Sequence, residues 1–306
     1  GDAGLNGSSF GAFDAEGGSW FAYLVLLGAV MQIATVLLVL SGRRRARMFN
    51  PDIAVVMSIA MVITVLGYLV ANPSATSPDY SAGLGVFVAL VGGLVSTVAG
   101  VVWIRSAPYG PRRPLRQRIG ISQIVVASFA IGIAAVSMVS MWQLDERGGV
   151  VLTPALQAEI EEVKRKAEAG EMDVGVAATE IQVIRAKAQA VERIVITGQD
   201  PKGVQLGPWV FGAVIVAGVG AVGASGAAGF SNRRRWMSGV VAMGFGAGVV
   251  GLSLGFVGTL ARATDNNYYS GVGAMLALIA GALAFFSARS IVTIFERSKV
   301  YEEVVS

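Results

Sequence analysis

Seven long apolar runs fill this chain, and none contains an Asp, Glu, Lys, Arg or His. They are Trp20–Ser41, Ile53–Ala71, Tyr80–Ile104, Ile119–Leu144, Gly207–Phe230, Trp236–Leu260 and Tyr268–Ala288. A helix crossing a bilayer needs about 20 predominantly apolar residues, and each run meets that length. The runs therefore predict an all-α integral membrane protein with seven transmembrane helices. Charged groups inside spans are the usual mark of proton, ion or voltage chemistry, so their absence narrows the functions open to this chain.

Composition agrees. Hydrophobic residues make up 54% and charged residues 14% of the 306, and the mean hydropathy is +0.64. A soluble domain carries more charge. The net charge of +4 is not read as a nucleic-acid footprint, because 15 of the 24 Lys and Arg fall in short segments on one predicted side of the membrane. With no Cys and no His, the chain has no disulfide, no Cys or His metal site and no catalysis by those residues. No metal site, catalytic residue or cofactor is expected, although structural lipids are compatible. A Gly at position 1 is compatible with removal of a Met, with a cleaved signal peptide, or with a preceding segment.

The arginines orient the spans. Arg43, Arg44, Arg45 and Arg47 follow the first run. Arg105, Arg112, Arg113, Arg116 and Arg118 separate the third and fourth. Arg233, Arg234 and Arg235 separate the fifth and sixth, and Arg289, Arg297 and Lys299 follow the seventh. Alternating spans put all of these on one side, and the positive-inside rule makes that side the cytoplasm. The N-terminus is then outside and the C-terminus cytoplasmic, with a prokaryotic cytoplasmic membrane as the expected location. At the start of the second span Asn50 is a cap, Pro51 suits the first turn, and Asp52 favours the positive end of the helix dipole. Trp20, Tyr23, Tyr80, Trp103, Trp142, Trp209, Trp236, Tyr268 and Tyr269 lie near span ends and read as interfacial anchors.

Two stretches resemble each other. Ser41-Gly42-Arg43-Arg44-Arg45 is matched by Ser231-Asn232-Arg233-Arg234-Arg235, and Tyr80-Ser81-Ala82-Gly83-Leu84-Gly85 by Tyr269-Ser270-Gly271-Val272-Gly273. Farther on, Ala89-Leu90 and Gly93 correspond to Ala277-Leu278 and Gly281. This predicts a parallel 3+1+3 internal repeat with a pseudo-axis along the membrane normal. The organisation is then an external tail (1–19), a first three-helix repeat (20–104), an Arg-rich loop with the fourth span (105–144), an extracytoplasmic helical hairpin (145–206), a second three-helix repeat (207–288) and a cytoplasmic tail (289–306).

Small residues recur at helical spacing. Gly85, Ala89 and Gly93 mark the third span, Ala217 and Ala221 the fifth, Gly251 and Gly255 the sixth, and Gly273, Ala277 and Gly281 the seventh. Residues four apart share a face, and small ones let helix backbones approach. These faces are candidates for packing inside the bundle or against a partner. The first and second spans carry bulkier Leu, Val, Ile and Met surfaces and are expected to face lipid or a looser interface. Among polar side chains in the runs, Gln32 is expected to bond a neighbouring helix.

Residues 145–206 form the sizeable polar segment. Thr153-Pro154 predicts a helix start, Gly170 a break, and Asp173 the cap of a second helix running to about Ile196. Apolar seams run through Leu156, Ile160 and Val163 on the first helix and Ile181, Ile184 and Val191 on the second. Two helices around a short turn predict an antiparallel hairpin whose seams suit another helix. Glu161 with Arg165 and Glu162 with Lys166 are favourable four-apart pairs on a solvated face. Glu159 and Glu162 lack the companions of a metal site.

The sequence thus predicts a non-catalytic multi-pass subunit of a larger membrane assembly, whose partners are other membrane subunits or copies of itself. Anionic phospholipids at Arg43, Arg44, Arg45, Arg233, Arg234 and Arg235 are a further expectation, and no nucleic acid is. The alternative is a channel, permease or secretion component for a neutral or macromolecular cargo. A lipid-acting enzyme would need clustered acidic, Ser/Lys or metal-binding residues, and none stands out. A retinal protein would need a Lys in the last span to form its Schiff base, and there is none.

Overall fold

The computed structural model describes residues 20–40, 51–70, 84–106, 120–148, 154–170, 172–187, 191–199, 206–262 and 268–305. Its elements in chain order are α1 (Trp20–Leu40), α2 (Pro51–Val70), α3 (Leu84–Ser106), α4 (Ile121–Val139), β1 (Met141–Gly148), α5 (Pro154–Glu168), α6 (Val174–Lys187), β2 (Val191–Thr197), α7 (Leu206–Ser225), α8 (Asn232–Arg262), β3 (Tyr268–Ser270) and α9 (Val272–Val305). Among the described residues, seven helices are long and apolar enough to cross a membrane: α1 to α4 and α7 to α9. This is a multi-pass integral membrane protein.

The chain divides into two units. The first comprises Gly1–Gln143, Ile196–Thr264 and Ser270–Ser306, and the second Leu144–Val195 with Asp265–Tyr269. In the first, α8 packs against α9, α2, α7 and α1; α4 packs against both α7 and α9; and α3 packs chiefly against α2. Bilayer tails give helices no hydrophobic reason to associate, so the fit of backbone against side chain must supply adhesion. The glycines of α8 show how. A Cβ at Gly244 would lie 2.7 Å from Cβ of Ile59, and one at Gly248 would lie 2.6 Å from Cβ of Ile63. On another face of α8, a Cβ at Gly246 would lie 2.6 Å from the backbone N of Phe285 on α9.

This packing corrects the reading of the second span as lipid-facing. Val55, Val56, Ile59, Met61, Ile63 and Val65 of α2 are all buried: Ile59 and Ile63 fill hollows at Gly244 and Gly248 of α8, Met61 one at Gly28 of α1 and Val55 one at Gly100 of α3. Periodicity within one span cannot show a hollow on another. The helix with the least buried apolar window is α3, at 11%. Among the described residues no atom lies within 4 Å of where a Cβ would stand at Gly85 or Gly92, and Val88, Val95 and Val102 are exposed. The bulky surface of α1 is exposed as expected, at Leu26, Leu27, Val30, Ile33 and Leu37.

The second unit holds α5, α6 and most of a three-stranded sheet with the order β2-β1-β3. The sheet adds strands that the helical reading lacked. It also shortens the second hairpin helix: α6 ends at Lys187, and Val191 stands in β2 rather than on a helical seam. The run Val191–Thr197 is rich in β-branched residues, which fit a pleated strand better than a helix. Elsewhere the local signals match the chain. Pro154 is the first residue of α5. Gly170 takes the left-handed conformation at φ +72° where α5 stops. Asp173 caps α6, with Oδ1 accepting from the backbone N–H of Gly175 at 2.8 Å. Ile160, Val163, Ala177 and Ile184 are buried between α5 and α6, with Leu156 and Ile181 packed beside them.

Candidate functional site: a clamp at one end of the bundle and a polar pin at the other

At the end where α4 finishes and α7 and α9 begin, chain segments from four places converge on Trp142. This side chain is fully buried and sits at the start of β1, directly after α4. Its Nε1–H donates to the carbonyl of Ser137 at 2.8 Å, and its own carbonyl accepts from the N–H of Gly271 at 2.7 Å. Ser137 Oγ–H donates to the carbonyl of Gly273 at 2.8 Å, tying α4 to α9 across 136 residues of chain. The N–H of Gly198 donates to the carbonyl of Ser140, and the N–H of Gly207 to the carbonyl of Gly198. The indole stacks edge-on against Phe256 of α8, with ring centroids 5.4 Å apart.

Two glycines make this approach possible. A Cβ at Gly198 would lie 2.5 Å from Nε1 of Trp142 and 2.8 Å from the carbonyl of Met138. A Cβ at Gly273 would lie 2.7 Å from the same indole nitrogen. Trp142 is therefore a core residue and not an interfacial anchor. The reason is its hydrogen-bond capacity: a buried indole N–H needs an acceptor, and the carbonyl of Ser137 in the last turn of α4, which also takes the shared N–H of Ser140, has a lone pair left for it. Gly273 was expected to lie on a helix-packing stripe; it packs against this indole.

The opposite end of the bundle carries a buried polar pin. Asp52, in the first turn of α2, is buried, and its Oδ2 accepts from Nε1–H of Trp236 on α8 at 2.9 Å. Trp236, like Trp142, is inside the protein rather than at its rim. Next to it in sequence, Arg235 is buried and donates from Nε to the carbonyl of Ala224 at 3.0 Å and from Nη2 to the carbonyl of Ser225 at 2.9 Å. Those are the last carbonyls of α7, and a cation is favoured there by the helix dipole. The turn that brings Arg235 back passes through Gly226 at φ +94°, where a Cβ would also strike the guanidinium. Arg235 is thereby removed from the set of arginines expected to present charge to lipid head groups. Arg233 and Arg234 are exposed. Arg43, Arg44 and Arg45 lie outside the described residues.

The small-residue positions divide. Ala217, Ala221 and Ala277 are fully buried. A Cβ at Gly281 would lie 2.8 Å from Cγ1 of Val249. A Cβ at Gly251 would lie 2.9 Å from Oγ1 of Thr64, and one at Gly255 would lie 2.7 Å from the ring of Phe21. Gly93 is held against Val62 on α2, Ala89 is half-buried, and Gly85 meets no neighbour among the described residues. Gln32 reaches the neighbouring helix, donating to Sδ of Met61 at 3.4 Å.

The buried hydroxyls of the bundle are largely turned back on their own helices. Thr35 donates to the carbonyl of Met31, Ser58 to Val55, Ser225 to Val222, Ser253 to Val249 and Ser287 to Ala284. A hydroxyl engaged with the preceding turn is satisfied locally and need not be offered to a solute.

Sequence reasoning placed Asp52 at a helix start and Trp236 near an interface, and it saw no link between them. It also had no sign of the clamp except the alternation of Trp142 and Leu144 with Gln143 and Asp145 after the fourth span. Comparison with protein families, with curated proteins and with solved structures finds no match for this chain.

Proposed function

We propose that this protein is a non-catalytic integral subunit of a larger membrane assembly, holding partners through its helices and through the α5–α6 hairpin. The observation that carries this reading is the disposition of polar groups within the membrane bundle. Hydroxyls such as those of Ser58, Ser253 and Ser287 are satisfied by their own helices. Glycines of α8 are filled by Ile59, Ile63 and Phe285. Such an interior is built for adhesion between helices and presents little chemistry to a passing solute.

The arginine distribution supports an N-terminus outside and a C-terminus in the cytoplasm of a prokaryotic cell, with the hairpin extracytoplasmic. The repeat reading pairs α1, α2 and α3 with α7, α8 and α9. Contacts between α2 and α8, between α1 and α8, and between α7 and α2 are those a pseudo-twofold relation would produce. Arg233 and Arg234, exposed at the start of α8, are suited to anionic head groups.

The experiment is extraction in a mild detergent followed by mass measurement of the purified particle. Other membrane proteins in fixed ratio, or further copies of this chain, are expected. A stable monomer without companions, together with flux of a small neutral solute in liposomes, would replace this reading with that of a channel or permease.

A further inference from the structure

In the repeat reading α3 and α9 are counterparts, and each sets the same face on the long helix before it. A Cβ at Gly93 of α3 would lie 2.9 Å from Cγ2 of Val62 and 3.7 Å from the carbonyl oxygen of Ser58 on α2. At Gly281 of α9 a Cβ would lie 2.8 Å from Cγ1 of Val249 and 3.0 Å from the carbonyl oxygen of Gly246 on α8. Gly85, Ala89 and Gly93 precede Gly273, Ala277 and Gly281 by one constant offset, and Ser58 precedes Gly246 by the same.

The adjoining face differs between the two helices. On α9 it runs through Gly273, Ala277, Ala280 and Ala284, in alternate steps of four and three. All four are buried, and α4 and α7 pack on α9 beside α8. α4 brings small residues of its own to the bundle, burying Ala127, Ala130, Ala134 and Ser137, and Ser137 bonds the carbonyl of Gly273. At the same offset α3 carries Gly85, Ala89, Gly92 and Ser96. There Gly85 and Gly92 are exposed, and Ala89 and Ser96 are half-buried. Among the described residues, α2 is the helix that packs closely on α3. Over spans of equal length, 44% of α9 is buried and 11% of α3.

A face turned only to lipid tails gains nothing from glycine, which costs a helix about 1 kcal/mol relative to alanine. Small residues in steps of four and three suit a seam between two helices crossing at about 20°. Thr97 is turned back on the carbonyl of Gly93, whereas Ser96 Oγ makes no hydrogen bond among the described residues. A hydroxyl in such a seam bonds across it. Because α4 and α9 meet small against small, the cover that α3 calls for is another uncharged small-residue face. α3 itself is one. Two copies inserted alike run their α3 helices parallel, and a twofold axis along the membrane normal brings Gly92 to Gly92 and Ser96 to Ser96. Such a contact is self-complementary and closes at two copies.

We propose that α3 docks on α3 of a second copy of this chain through Gly85, Ala89, Gly92 and Ser96. The inference deepens the subunit reading and rests on it, naming the chain itself as one partner.

The test is disulfide cross-linking of the full chain in its membrane. The chain has no Cys, so an introduced one reports alone. Cysteines join when their Cα atoms come within about 7 Å. Ser96→Cys is expected to give a linked dimer on oxidation, and Leu94→Cys, exposed on another side of α3, is not. Adding Gly92→Leu to Ser96→Cys is expected to lower the linked fraction by about tenfold. Gly92→Ala is expected to leave it intact, because the counterpart on α9 is Ala280. Neither change meets a described atom of its own copy within 4 Å of the new Cβ, so the fold of one copy is kept. Equal linking at Ser96→Cys and Leu94→Cys, or a Ser96→Cys yield that Gly92→Leu leaves unchanged, would overturn the proposal. A particle holding other proteins, with Ser96→Cys unlinked, would overturn it and leave the subunit reading in place. A lone monomer would remove both.

Discussion

Trp236 donates its indole N–H to the carboxylate of Asp52 at 2.9 Å, joining the starts of α8 and α2 across 184 residues of chain. Both side chains are buried. Below this pin the two helices run side by side, with Ile59 and Ile63 of α2 seated against Gly244 and Gly248 of α8. The bond fixes the register of that contact at its end, and the glycines fix it along its length. A shift of one residue would turn the isoleucines onto side chains instead of hollows.

Trp236→Phe keeps the ring and removes the donor. Taking one partner from a buried hydrogen bond destabilises by about 1–3 kcal/mol. The unfolding midpoint in detergent is expected to fall accordingly, and Asp52→Asn, which keeps an acceptor oxygen, is expected to cost less. An unchanged midpoint for Trp236→Phe would show that the pin carries no weight.

Gly248→Ala and Gly92→Ala are expected to act in opposite directions. At Gly248 the new methyl meets Ile63 at 2.6 Å, and overpacking of this kind destabilises by about 1–3 kcal/mol. At Gly92 nothing among the described residues lies within 4 Å, so the gain in helix propensity, up to about 1 kcal/mol, is left unopposed. The same thermal measurement on both variants checks the pair. A stabilising Gly248→Ala would mean that α2 and α8 separate more readily than their packing implies.

Arg235 and Arg234 are neighbours with different expected roles. Arg235→Met leaves the last carbonyls of α7 without the guanidinium that now bonds Ala224 and Ser225. A loss of about 1–3 kcal/mol follows, because these acceptors are in a buried place. Arg234→Met is expected to leave stability unchanged and to weaken retention of anionic phospholipid, read by lipid mass analysis of the purified protein. Equal destabilisation by both would contradict the cap.

The hairpin offers a pH test. Lys166 Nζ lies 2.9 Å from Oε1 of Glu162, one turn earlier on α5. The hydrogen bond and charge of Lys166 hold the Glu162 carboxyl below its ordinary value of 4.5. In the same way Glu162 holds the Lys166 ammonium above its ordinary 10.5. A lowered carboxyl contributes stability that is complete above 4.5 and is lost as pH falls through the folded value. A raised ammonium contributes stability that is complete below 10.5 and is lost as pH rises through the folded value. The difference between wild type and Glu162→Gln is therefore expected to be flat through neutral pH and to close at both extremes. Both groups are exposed, so the difference is small and shrinks with added salt. A difference that grows in acid would rule the pair out as its source.

Much of this fold was legible in the residues themselves. Seven uncharged runs fixed seven spanning helices, because nothing but a helix satisfies its own backbone at that length in lipid. Pro154, Gly170 and Asp173 marked the hairpin ends, because capping and left-handed turns are settled within a few residues. The hairpin seam through Ile160, Val163 and Ile184 followed from spacing alone. What the sequence could not decide was which surface meets which. The apolar bulk of α2 and of α1 looks alike along the chain, yet much of α2 is buried and much of α1 exposed, because Gly244 and Gly248, far away on α8, take in Ile59 and Ile63 of α2. Trp142 and Trp236 looked like rim residues, and tertiary structure drew both inside by giving each indole N–H an acceptor, on Ser137 and on Asp52. Periodicity is a property of one segment. A hollow, a shared hydrogen bond and a clamp are properties of two or more, and only the folded chain brings those together.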